Sequence, residues 1–146
     1  MQEYNQNAEL LNFIYQNSQM GVDTITQLMD ITTDDVFKDR LHTQLKEYRA
    51  IHDKAAQMLE ANGFNEEGLS AFEKIRTYLM INFQTLSDDS VSHIAEMLIV
   101  GSSMGVIDAI RNIRKYKDTA EKDILELMEH LKTFEEKNVE RFKKYL

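Results

Sequence analysis

Apolar residues recur at three- and four-residue steps along most of the chain, the period that lines one face of an α-helix. Leu11, Ile14, Ser18, Val22, Ile25 and Met29 trace such a stripe and predict a first helix over 7–31, with Asn12, Gln16, Gln19, Asp23 and Gln27 on its polar side. Thr32, Thr33, Asp34 and Asp35 then combine N-cap residues with first-turn acids, which suit the positive end of a helix dipole. The second helix turns Leu41, Leu45, Tyr48, His52, Ala55 and Leu59 inward and stops at Asn62 and Gly63, a pair suited to a left-handed cap. Ser87, Asp88 and Asp89 are read as the cap of a third helix reaching about residue 115. Lys117, Asp118 and Thr119 turn into a fourth, whose stripe is Ile124, Leu127, Leu131, Phe134, Asn138, Phe142 and Tyr145. Residues 63–87 are too many for a tight turn, and Phe72, Ile75, Leu79, Phe83 and Leu86 predict a short amphipathic helix within them.

The pattern occurs twice. Ser18, Gln19, Met20, Gly21 and Val22 recur 84 residues later as Ser102, Ser103, Met104, Gly105 and Val106, and Leu41, Leu45, Lys46 and Tyr48 recur 86 residues later as Leu127, Leu131, Lys132 and Phe134. The expected fold is therefore all-α: one domain over 1–146, built from a hairpin over about 7–62, a crossover over 63–87 and a second hairpin over about 88–146. A short turn, a long connection and a short turn is one of few ways to thread four such helices, and it differs from an up-and-down bundle with three short loops.

In this connectivity and hairpin repeat the chain resembles the ferritin-like four-helix-bundle superfamily, in particular its small uncharacterised bacterial members, including the spore coat F type. The resemblance implies a di-metal centre held by one carboxylate from each of two helices and a Glu-x-x-His pair on each of the other two. That spacing puts carboxylate and imidazole on one helix face, within reach of one ion. In this sequence the pairs are split. The second helix has Arg49, Ala50, Ile51 and His52, with arginine in the glutamate place; the fourth has Glu135, Glu136, Lys137 and Asn138, with asparagine in the histidine place. Asp23 lies off the inner stripe of the first helix and Glu96 lies across the third from Ala95, Leu98 and Ser102, so neither supplies the missing acid. His52 and Glu135 are the candidate metal ligands, for iron or manganese. Against them stands the expectation that His52 and Asn138 hydrogen-bond across the core and that Arg49 pairs with Glu135 or another acid near the rim.

A glycine inside a helix costs about 1 kcal/mol relative to alanine, so Gly21, Gly101 and Gly105 require a compensation. Close helix approach, with room made for Tyr48, Phe134 or a partner backbone, is one; a small ligand cavity in mid-bundle is the other. The third helix also carries Met97, Val100, Met104 and Ile107 behind its inner stripe, which predicts a second cover. The crossover and a second copy of the chain are the expected covers, giving a homo-oligomer. His93 and Glu96 on this helix reverse the metal motif and suit a solvated helix start equally well.

Composition narrows the remaining classes. Proline is absent from the 146 residues and glycine numbers 5, so little interrupts helices. The absence of cysteine removes disulfides, thiolate ligands and thiol nucleophiles, and residues 1–10 lack the basic and apolar regions of a signal peptide, so a cytoplasmic location is expected. A net charge of −8 repels phosphate backbones, which argues against nucleic acid. The longest apolar run, 94–110, contains Glu96 and Asp108 and falls short of the ~20 residues that span a bilayer. No Gly-rich phosphate loop, serine elbow or zinc-type histidine spacing is present. The sequence therefore reads as a non-catalytic structural or interaction protein with a degenerate metal site and no cofactor. A metal-dependent oxidoreductase or iron-handling protein and a small-ligand binder are the alternatives.

Overall fold

The computed structural model describes residues 6–64 and 90–146, which form four α-helices: α1 Gln6–Ile31, α2 Asp35–Ala61, α3 Val91–Tyr116 and α4 Lys122–Lys143. Among the described residues there is no strand. The helix ends follow local chemistry. Asp34 caps α2 by accepting a hydrogen bond from the Phe37 amide at 2.8 Å. At its other end Gly63, with φ +73°, lets Phe64 N–H donate to the Leu59 carbonyl and Gly63 N–H to that of Glu60, a Schellman arrangement that favours a left-handed residue. The third helix is capped by Ser90, later than Ser87, Asp88 and Asp89, which lie outside the described residues, as does the amphipathic segment expected over 72–86.

Named contacts set the helix directions. Asn7 accepts a hydrogen bond from the Glu121 amide at 2.8 Å, and Lys115 lies 3.5 Å from Glu9, so the start of α1 meets the end of α3 and the start of α4. Phe37 meets Phe142 edge-on at 5.8 Å and Glu47 meets His130 at 2.7 Å, so α2 and α4 are antiparallel. It follows that α1 and α4 run one way and α2 and α3 the other. The end of α2 and the start of α3 therefore lie at opposite ends of the bundle, a distance of about 39 Å for a 26-residue helix.

The core is the common interior of the four stripes, with Leu10, Ile14, Leu28, Leu41, Leu59, Ile94, Ile124 and Leu131 fully buried. Phe37, Phe142 and Tyr145 close one end as edge-to-face and tilted rings. One expectation about faces changes. The side of α1 read as polar is only partly solvated: Asn12 is buried, its amide donating to the Ala8 carbonyl, and Gln16, Gln19, Asp23 and Gln27 are half-buried. On α3 the rear face is open, with Val100, Met104 and Ile107 about half exposed. The helix is also longer than the 94–110 run behind the expectation of no membrane span: by length and composition alone it is long and apolar enough to cross a bilayer, at mean hydropathy 1.4. The inner side of that same helix, including Ile94, Leu98 and Ala109, is bundle core.

Candidate functional site

The centre of the bundle is polar. Tyr48 on α2 and Glu135 on α4 are almost wholly buried, and the Tyr48 hydroxyl donates a hydrogen bond to Glu135 Oε1. The Ser102 hydroxyl on α3 is a further partner of both groups. Around them the repeat acquires a three-dimensional meaning. Tyr48 and its repeat counterpart Phe134 meet edge to face, centroids 4.8 Å apart and planes at 79°. A β-carbon on Gly21 would lie 2.7 Å from Cγ of Tyr48 and nearer still to Cδ1 and Cε1, while one on Gly105 would lie 3.1 Å from Glu135 Oε2. Each repeat glycine is thus a notch: Gly21 admits the phenol ring and Gly105 admits the carboxyl. The room expected for Phe134 at the second glycine is taken by its neighbour Glu135.

Burial controls the ionisation of the pair. Removal from water, first, pushes the Glu135 carboxyl up to about 7, against the opposing pull of the Tyr48 and Ser102 hydrogen bonds. The phenol is raised well above its ordinary value, by burial and then by the adjacent carboxyl. The centre therefore holds a carboxyl that exchanges its proton near neutrality and a phenol that keeps its own.

The metal candidates named from the sequence are engaged separately. Glu135 belongs to Tyr48. His52 stacks on Tyr15 of α1, centroids 4.3 Å apart at 28°, with its Nδ1 3.8 Å from Asp53 and its Nε2 buried and unpartnered. The expected hydrogen bond between His52 and Asn138 is absent: both polar atoms of the Asn138 amide are buried without a partner. The expected pairing of Arg49 with Glu135 is also overturned, because Arg49 is exposed while Glu135 is interior. Asp23 is tied to Gln19 at 2.9 Å, and His93 and Glu96 form a solvated pair at 3.8 Å. Among the described residues no three His, Asp or Glu side chains converge as a metal site would require.

Sequence reasoning misses Glu135 as a core residue, although the signal is present. Glu135 sits four residues after Leu131 and seven before Phe142, both fully buried, and so lies on the inner stripe beside Phe134. Next to the pair, α1 and α3 leave a cavity of about 50 Å3, whose walls include Asn17, Met20, Met97, Gly101, Ser102 and Glu135. Comparison with family models, with curated proteins and with solved structures finds no match to this chain.

Proposed function

We propose that this chain is a non-catalytic structural or interaction protein on a ferritin-like bundle, in which a carboxyl–phenol pair stands where related folds hold two metals. The observation that carries the reading is the hydrogen bond from Tyr48 to Glu135. It occupies the carboxylate oxygen that a metal would need and sets a ring, seated in the Gly21 notch, in the middle of the bundle. With Arg49 turned to solvent and His52 stacked on Tyr15, a divalent ion at Glu135 would have one charge of the several it requires. Protein purified without chelators or added metal should contain well under about one iron, manganese or zinc ion per chain by elemental analysis. A stoichiometric ion that is lost on Glu135→Ala or His52→Ala would instead support the oxidoreductase or iron-handling reading.

The interaction surface favoured by this reading is the rear of α3. Val100, Met104 and Ile107 follow one another at helical spacing, each about half exposed, and a second copy presenting the same face would cover them in a two-fold arrangement. A homodimer is the expected solution state. Replacing Val100 and Ile107 together with glutamate should halve the mass measured by light scattering while the helical circular dichroism is kept. A wild-type protein that is monomeric at high concentration, or a double variant that unfolds, would remove the dimer.

A further inference from the structure

Glu135 is a buried acid without a cation. Among the described residues no Lys, Arg or His forms an ion pair with it. Its titratable neighbour is Tyr48 on α2; α1 presents Asn17 and Gly21 to the same space and α3 presents Ser102 and Gly105, none of them ionisable. The cavity beside it is small, about 50 Å3, far below the ~300 Å3 at which drug-sized sites begin. Its lining includes the carboxyl, the Ser102 hydroxyl and the amide of Asn17. Asn17 is 5% exposed, lines the same space and makes no side-chain hydrogen bond among the described residues. The remaining wall is apolar, from Met20, Ile25 and Met97. Gly101 forms part of the same wall, and a β-carbon there would meet nothing within 4 Å.

We infer that this cavity is a binding site for a primary ammonium group on a short apolar body, with Glu135, Ser102 and Asn17 Oδ1 as its three acceptors. An ammonium has three N–H donors and no acceptor, which suits a pocket lined by three oxygen-bearing side chains. Its charge is the partner that the buried carboxylate lacks, and charge-assisted hydrogen bonds are the strong ones. The short hydrocarbon tail of such an ion meets the methionine and isoleucine side chains. This site coexists with the non-catalytic reading and asks for no chemistry beyond binding. Because the ammonium is matched by the ionised carboxylate, binding below neutrality must displace the Glu135 proton, RNH3+ entering as H+ leaves.

The test uses the full chain with propylammonium chloride as probe, set against sodium chloride at equal ionic strength and against 1-propanol. At ten times its Kd propylammonium should raise the wild-type Tm by about 4 °C beyond the sodium chloride control. Its Kd, followed by calorimetry, should weaken about tenfold for each step of one in pH below 7, with proton release visible as a dependence on buffer ionisation heat. Glu135→Gln should abolish the rise in Tm. Gly101→Leu, placed where an added β-carbon meets nothing within 4 Å, should fold as well as the wild type and also lose it. The inference is overturned if propylammonium does no more than sodium chloride, if 1-propanol does as much, or if either variant keeps the full rise.

Discussion

Alanine at Gly21 should lower stability by about 2–4 kcal/mol, and alanine at Gly101 should raise it by up to ~1 kcal/mol, although both exchanges are glycine to alanine inside a helix. Intrinsic propensity favours alanine at both places. The difference lies across the helix interface. At Gly21 the new methyl group would fall within the Tyr48 ring, and the ring has nowhere to retreat. Its far side is held edge-on by Phe134 at 4.8 Å, and its hydroxyl is fixed to Glu135. Either α1 moves away from α2, or the ring turns and leaves a buried carboxyl without its donor, a loss of about 1.5–3 kcal/mol for a charged acceptor. At Gly101 nothing lies within 4 Å, so only the entropic gain remains. Thermal melts of the two variants read the contrast directly: the first should fall by roughly 10 °C and the second should hold or rise. A Gly21→Ala protein as stable as the wild type would mean that the ring has room and that Gly21 is no notch.

Glu135 should contribute about 3 kcal/mol of stability that is lost as pH rises from about 4.5 to 7, because moving a carboxyl's midpoint by one in pH is worth ~1.4 kcal/mol. The direction follows from proton counting. Glu135 keeps its proton to about 7 in the folded protein, against 4.5 in the unfolded chain. Between those values the folded state holds a proton that the unfolded state has released, so raising the pH favours unfolding. The contribution is complete below 4.5 and gone above 7. Glutamine at 135 keeps an oxygen for the Tyr48 hydroxyl and has no proton to lose. Denaturant melts should therefore find Glu135→Gln more stable than the wild type by about 2–3 kcal/mol at pH 8 and nearly equal to it at pH 5. Equal stability at pH 8 would show that the carboxyl is solvated or paired with a cation.

The parts of the fold legible in the sequence are those written in local chemistry. Asp34 as a cap, Gly63 as a left-handed stop and the turn at 117–119 depend on a few consecutive residues, and helix ends fall within a few residues of expectation. The open rear face of α3 is legible for the same reason, since Val100, Met104 and Ile107 share one side at helical spacing. What periodicity does not set is the rotation of each helix about its own axis, and a few tens of degrees decide which neighbour a side chain meets. His52 lies on the inner stripe of α2 yet is turned to Tyr15 on α1. Sequence pairs Arg49 with Glu135 or another acid at the rim, because unlike charges are expected to meet, whereas the fold gives Glu135 a phenol and a desolvated site. The two glycines are readable as a cost requiring compensation. That one makes room for a ring and the other for a carboxyl depends on contacts between residues 27 and 30 positions apart in sequence, which no local pattern encodes.

At the bundle centre stands a protonatable carboxyl hydrogen-bonded to a phenol. Its most direct measurement is a carboxyl-carbon NMR titration of protein labelled at glutamate, with Glu135 assigned by its absence from the Glu135→Gln spectrum. Glu135 should titrate near pH 7 and move higher still in Tyr48→Phe, which removes a hydrogen bond favouring the ionised form. Titration of Glu135 near 4.5, or a carboxyl that shows no titration until a chelator is added, would contradict this picture of the centre.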